Sequence, residues 1–384
     1  MTEIDDETFN QLQDAIDRFV TERLKPNEMR VEESDEIPED LVEEMKELGL
    51  FGLTISPDYG GIGLNCRQES EIAMILGQTA PAFRSLFGTN IGIGARGLIL
   101  EGTEEQKEAY LPKLASGEMI ASFALTEPDS GSDPASLKTK AVRDGDDYLI
   151  SGTKRYITNA SRAGLFTVMA RTDFEQTGAG AISAFLVPAD APGITLGAKD
   201  KKMGQRGTTT CDVIFENVRV PATAIIGQEP GQGFRLAMRV LDRGRIHIGA
   251  LSTGMCKRLI QEMVAFATER RQFGQVISEF QLIQAMIADS YTEFSAAQSL
   301  VRATAAEYDA AGAARINASA LKYFATEAVG RIADRAVQVH GGAGYMTEYA
   351  VERFYRDVRL FRIYEGTSQI QQLLIARQLI KNGL

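Results

Sequence analysis

Histidine and cysteine are scarce in this chain: two histidines, His247 and His340, and three cysteines, Cys66, Cys211 and Cys256, in 384 residues. Two histidines argue against a histidine-rich metal site. Three scattered cysteines without CxxC spacing offer neither a disulfide frame nor a zinc site, and they fit a reducing compartment. No apolar run reaches the roughly 18 residues that a membrane span needs. The start, MTEIDDETFN, is acidic and polar and lacks the pattern of a secretory or transit signal, so a cytoplasmic location is expected. Positive charge is also short, 41 Lys and Arg against 52 Asp and Glu, a formal net charge of −11. That balance argues against nonspecific nucleic-acid binding, which requires phosphate neutralisation, but leaves room for a local basic pocket around a phosphorylated cofactor. Internal repeats and low-complexity linkers are missing too. What remains, 44% hydrophobic and 24% charged residues, is the composition of a soluble globular protein long enough for two or three domains.

Three regions differ in hydrophobic period. Residues 1–118 read as helical: Phe9, Leu12, Ile16, Phe19 and Val20 form one apolar stripe, and Leu41, Met45 and Leu48 another. A glycine-rich loop, YGGIGL, interrupts near Tyr59, and TEEQKEAYLPKLASGE reads as a helix ending near Pro112. Residues 119–230 read as strands, with runs such as DYLISGTKRYITNA, LFTVMA, AISAFLVP and CDVIFENVRVP separated by turns at Asp144-Gly145, Gly178 and Pro192-Gly193. Several such runs predict a small sandwich or barrel. Residues 231–384 return to the helical period. Phe234, Met238, Leu241, Ile248, Leu251, Met255 and Leu259 predict one helix of more than about 30 residues, roughly 50 Å long at 1.5 Å per residue. Further long helices are expected over 281–309 and 313–339. The fold class is therefore α+β multidomain: an N-terminal α-helical domain, a central β-barrel or sandwich, and a C-terminal four-helix bundle.

The segment QVHGGAGYMTEYAVERFYRDVRLFRIYEGTSQIQ, from Gln338 to Gln371, carries the most chemistry. Val351, Phe354, Tyr355 and Val358 recur at helical spacing and predict one buried face. Thr367 is a candidate N-cap, with Ile370, Leu373 and Leu374 as the apolar stripe of the following helix. Glu365 then falls in a short break between two packed helices, beside Gly366. Unpaired N–H groups at a helix start bind anions, and a carboxylate fixed there can take a proton from a bound ligand. The alternative is a plain helix-connecting loop with a solvated glutamate. Upstream, FALTEPDSGSD joins a short strand at Phe123, Ala124 and Leu125 to a polar turn, where backbone amides and the Thr126 and Ser132 hydroxyls are available to a heteroaromatic edge.

Together with KRYITN (Lys154 to Asn159), ERRQFG (Glu269 to Gly274), QVHGGAGY and IYEGTSQIQ, the pattern closely resembles the acyl-CoA dehydrogenase family over essentially the whole chain. The resemblance implies FAD as cofactor, a homotetramer, oxidation of an acyl-CoA thioester to the trans-2-enoyl-CoA, and electron-transfer flavoprotein as the electron acceptor. It implies Glu365 as the base that removes the α-proton while the Cβ hydride moves to flavin N5. The isovaleryl-type branch carries its base instead on the long helix, at the position of Gly244 here. Phe123, Leu125, Thr126, Gly131 and Ser132 match contacts to the flavin, and Ser132 also the thioester end of the substrate. Tyr156 and Thr158 match the pair over the flavin; the family often has tryptophan where Tyr156 stands, and this chain has none. Arg270, Gln272, Phe273 and Gln281 resemble residues that reach the FAD of a neighbouring subunit, and Gln338, Gly341 and Gly342 match the other side of that shared site. Thr367 and Gln369 match cofactor contacts beside the base, and Gly366 lies at the substrate. Asp242 and Arg245 match residues lining the CoA groove; an ordinary i,i+3 surface pair is the alternative. No metal is implied.

Arg84, in APAFRSLFGTN, lies on a largely apolar helix and resembles the arginine with which glutaryl-CoA dehydrogenases bind the distal carboxylate. A guanidinium fork suits a carboxylate or a sulfinate, so a decarboxylating dicarboxylyl-type or sulfinate-releasing relative stays open beside a simple acyl-CoA dehydrogenase. The alternative for Arg84 is a cap or packing role in the N-terminal domain. Gly77 departs from the acidic residue of the glutaryl enzymes, and the Glu365 base argues against the desulfinating branch.

Overall fold

The structure, a computed structural model, describes residues 4–383; the outermost ends of the first and last expected domains lie outside them. The N-terminal region contains α1 (Asp6–Phe19), α2 (Glu28–Ser34), α3 (Glu39–Glu47), α4 (Cys66–Leu76), α5 (Pro81–Thr89), α6 (Arg96–Glu101) and α7 (Glu104–Ser116). Asp5 caps α1 through the N–H of Thr8, and Phe9, Ile16 and Phe19 of its stripe are buried. Helix α7 begins in a capping box of Thr103 and Gln106 and ends at the left-handed Gly117. It runs through Pro112, where the sequence predicted its end. A proline removes one N–H from the ladder, but the buried Leu111, Leu114 and Ala115 tie the last turn to the core on either side of it.

The middle region is one curled seven-stranded sheet of β1 (Ala121–Ala124), β2 (Lys140–Asp144), β3 (Asp147–Thr158), β4 (Leu165–Arg171), β5 (Ile182–Pro188), β6 (Ile194–Leu196) and β7 (Thr210–Pro221). Its strands follow the order β1-β4-β2-β3-β7-β6, with β5 paired to β4. The β3–β7 register slips between Lys154 and Ile157. That bulge holds Tyr156 at φ 58°, and its ring is 63% exposed.

The C-terminal region begins with α8 (Gly233–Glu269), 37 residues long as its period predicts. A two-residue hairpin, β8 (Arg271–Gln272) and β9 (Gln275–Val276), leads into α9 (Gln281–Ala311), α10 (Arg315–His340), α11 (Ala350–Val358) and α12 (Ser368–Asn382). Helix α8 also packs on α4 of the N-terminal region. A Cβ on Gly77 would strike the backbone oxygen of Leu251, and one on Gly254 would strike that of Met74. Glycine at both positions lets the two helices touch backbone to backbone. On α11, Val351, Phe354 and Val358 are buried as their spacing predicts, whereas Tyr355 is 44% exposed. The buried side of α11 turns toward Arg353 and Asp357, which are tied to other regions, and that rotation carries Tyr355 outward.

Candidate active site

Glu365 sits in a two-residue left-handed turn, φ 52° at Glu365 and φ 91° at Gly366, between the 3₁₀ turn Arg359–Arg362 and α12. Thr367 caps α12 as expected, accepting from the N–H of Ile370 at 3.2 Å. A left-handed glutamate costs about 1–3 kcal/mol and persists only where its surroundings over-determine it. Here Gln371 donates to the carbonyl oxygens of both Glu365 (3.3 Å) and Gly366 (3.1 Å), and Lys322 donates to that of Gly366 at 2.6 Å. The carboxylate Oε2 of Glu365 is buried and has no hydrogen-bond partner among the described residues. Burial pushes the Glu365 pKa up, while Arg84, Lys322 and Arg245 oppose that rise. A buried carboxylate with an unused oxygen and a raised pKa has the character of a general base. A Cβ on Gly244 would collide with Oε2 of Glu365, so the Gly244 position on the helix and the Glu365 turn point into the same space.

Glu365 and Gly366 line a cavity of about 550 Å³. Its walls bring together Phe123, Tyr156 and Thr158 from the sheet, Leu125, Thr126, Gly131 and Ser132 from the turn after β1, Arg84 from α5 and Arg245 from α8. Leu373 and Leu374 of α12 line this cavity and are 48% and 36% exposed, so their stripe faces the site rather than a closed core. Asp242 stands beside the cavity and accepts from Arg245 at 2.6 Å, so the i,i+3 pair exists while Arg245 still faces the site. Arg270, Gln272, Phe273, Gln281, Gly341 and Gly342 assemble elsewhere, around an open cavity of about 990 Å³ where Phe273 is 94% exposed. Gln338 is exposed near the end of α10, and Gln369 is exposed on the first turn of α12.

Several residues that hold the site carry no local signal in the sequence. Lys154, fully buried in β3, donates to Glu127 (2.8 Å) and to the carbonyl of Leu125 (3.1 Å), and so fixes the turn after β1 from beneath. Burial lowers its pKa to about 8 against the pull of Glu127. Glu127 also accepts from the N–H groups of Lys138 and Thr139. His247, whose neighbours in the sequence show no partner for it, has two in the fold. Arg84 donates through Nε to His247 Nε2 at 2.7 Å, and His247 Nδ1 lies 2.8 Å from Glu69 Oε1. Because an arginine N–H can only donate, His247 is the neutral Nδ1–H tautomer and donates to Glu69. Burial, then Arg84, pushes its pKa down, in agreement. Burial works to raise the Glu69 carboxyl, but Arg243 and His247 hold it well below the usual carboxylate range. Arg84 is therefore buried and packed, and it also faces the cavity with Nη1 and Nη2 uncommitted among the described residues. Gly88 makes this possible, since a Cβ there would collide with the Arg84 guanidinium.

Models of the N-terminal, middle and C-terminal domains of acyl-CoA dehydrogenases match residues 6–118, 122–218 and 231–380. A probable acyl-CoA dehydrogenase of Bacillus subtilis is 40% identical over 370 residues, covering 96% of this chain and 97% of its own. The structure of butyryl-CoA dehydrogenase from Megasphaera elsdenii superposes with a TM-score of 0.94 at 30% identity, over 99% of this chain and 100% of that one. Glutaryl-CoA dehydrogenase from Mycobacterium smegmatis gives 0.92 at 32% identity, over 99% and 96%. With each of its three regions matched in order and its whole length shared with these proteins, the chain belongs to the acyl-CoA dehydrogenase family.

Proposed function

We propose that Glu365 removes the α-proton of an acyl-CoA thioester as the chain desaturates it between Cα and Cβ to the trans-2-enoyl-CoA. The family uses FAD and oxidises acyl-CoA thioesters. The residues present fit that cofactor: the bulged Tyr156 stands exposed beside the cavity, Gly131 has open space where a Cβ would project, and the turn after β1 presents Thr126 and Ser132. FAD, when bound, supplies the acceptor for the Cβ hydrogen and its electron pair. The chain's residues then do the rest. Leu125, Thr126, Ser132, Tyr156 and Thr158 would hold the ring system, with Thr367 and Gln369 as further contacts, and Arg245 with Asp242 would guide the CoA moiety. Glu365 takes the proton as the carbon–carbon double bond forms. The second cavity, with Arg270, Gln272, Phe273, Gln281, Gly341 and Gly342, would form with the nearby Gln338 the part of the cofactor site shared between subunits of a homotetramer. Electron-transfer flavoprotein is the proposed acceptor. The observation that carries the base assignment is the buried, unpartnered Oε2 of Glu365 in its left-handed turn.

Arg84 favours a second reading of the substrate, a thioester with an anionic far end, because its two free Nη groups face the same cavity as Glu365. The missing acidic residue at Gly77 has a packing cause in this chain, the close crossing with α8. Anaerobic titration with butyryl-, octanoyl- and glutaryl-CoA, followed by flavin absorbance, separates the readings. Bleaching by a simple acyl-CoA supports the first, and bleaching by glutaryl-CoA alone supports the second. Glu365→Gln is expected to keep FAD and lose at least about a hundredfold in turnover; wild-type turnover in this variant sinks the base assignment.

A further inference from the structure

A cation lies beneath the Glu365 turn and takes no part in the reaction as described so far. Lys322, in the first half of α10, is 0% exposed. Its Nζ donates to the Gly366 carbonyl at 2.6 Å, the same oxygen that accepts from Gln371. A buried ammonium persists only when paired and hydrogen-bonded, and a neutral carbonyl does not balance its charge. Two carboxylates act on its charge through space, without a contact ion pair among the described residues. Glu327, on its own helix, is already engaged by the Ser368 hydroxyl at 2.7 Å and by Arg362 at 3.6 Å. Glu365 is the other, and its Oε2 has no hydrogen-bond partner among the described residues.

We propose that Lys322 is a positioning residue for proton abstraction: its Nζ pins the Gly366 carbonyl and, with Gln371, fixes the left-handed turn, while its charge favours the ionised, proton-accepting form of Glu365. The inference rests on Glu365 being the base. Arg245 on α8 is the other cation facing Lys322, and Arg84 on α5 faces Glu365 from the opposite domain. Helix α12 contributes the neutral Ser368 and Gln371. The two groups respond to each other in the required sense. Burial brings the Lys322 pKa down to about 8, and Glu365 is the foremost charge opposing that fall. Lys322 is in turn among the cations that oppose the rise at Glu365.

The test is the pH dependence of kcat/KM for FAD-loaded protein, with the straight-chain acyl-CoA that bleaches the flavin fastest. It compares wild type with Lys322→Met, Gln371→Leu and Glu365→Gln. Lys322→Met is expected to move the acid limb up by about one pH unit, because the base loses an attracting cation, and to lower kcat. Gln371→Leu is expected to lower kcat while leaving the limb in place. If Lys322→Met yields no folded yellow protein, Lys322→Gln, equally uncharged, must show the shift. An acid limb in the uncharged variant that coincides with wild type, with Glu365→Gln inactive, overturns this proposal alone, whatever happens to the melting temperature. Wild-type turnover in Glu365→Gln overturns the base assignment and this proposal together.

Discussion

Gly244 and Glu365 compete for one small volume, and the absence of a side chain on α8 is what lets the carboxylate reach its place. The same trade is made twice more around the site: Gly88 leaves room for the Arg84 guanidinium, and the left-handed Gly366 continues a turn that few residues tolerate. Gly244→Ala is expected to fold, since alanine is the better helix former, and to retain FAD. Its methyl group would push the Glu365 carboxylate off its position, with a loss of turnover on the order of a hundredfold, the usual consequence of a misplacement near 1 Å. Steady-state turnover beside the flavin spectrum checks this; unchanged kcat in Gly244→Ala would mean that the carboxylate reacts from a different rotamer. The Arg84–His247–Glu69 chain makes a similar point about charge. Each member is buried, and the chain ends on Glu69, which also accepts from Arg243.

At the level of elements, the α4–α8 crossing depends on Gly77 and Gly254 meeting backbones rather than side chains. Gly254→Ala is expected to cost about 1–3 kcal/mol through overpacking, even though helix propensity favours alanine; equal or raised stability in denaturant unfolding would show that the crossing can widen freely. Long elements with a steady period were legible in the sequence. The 37-residue α8, the strand runs and the Thr367 cap all carry their signal within a few turns of chain. The failures are equally physical. Pro112 reads as a stop only locally, and the buried residues around it in α7 hold the helix together. Tyr355 shares the spacing of its apolar neighbours, but the side of α11 that turns inward is chosen by the partners of Arg353 and Asp357 far away in sequence. In the site, Glu365 and the cavity residues on short motifs could be found by resemblance. The roles of Lys322, His247, Glu69 and of Lys154, although the last opens the KRYITN motif, could not, because each is defined by a contact across 27 to 178 positions.

Across the whole molecule, the three regions are joined by buried charge. Glu28 of α2 accepts from Thr79, from the N–H of Ala80, from Arg258 of α8 and from Arg353 of α11. Asp357 of α11 accepts from the backbone N–H of Gln205 in the middle region, and Arg356 pairs with Glu32. Burial raises the Asp357 carboxyl from 3.8 to about 7, against the Gln205 hydrogen bond and the nearby Arg353 and Arg356. The folded state thus holds a proton there that the unfolded chain releases near pH 3.8. The stability it contributes is full below the unfolded value, falls as pH rises toward about 7, and is gone above that. Asp357→Asn is expected to abolish this slope. Chemical denaturation of wild type and variant at pH 5, 6, 7 and 8 should show the wild type losing ground to the variant up to neutrality and then running parallel to it. A constant difference at all four values would mean that Asp357 stays ionised when folded.

The shared volume at Gly244 and Glu365 also has a historical consequence. A lineage that moves its carboxylate from the turn to the helix cannot do so through one viable substitution. Adding the helix carboxylate first sets two anions in a space that holds one, and removing the turn carboxylate first leaves none. On the proposed assignment of Glu365 as the base, a carboxylate on the helix and one on the turn are alternatives that this chain cannot hold together, so reaching the other arrangement requires both positions to change.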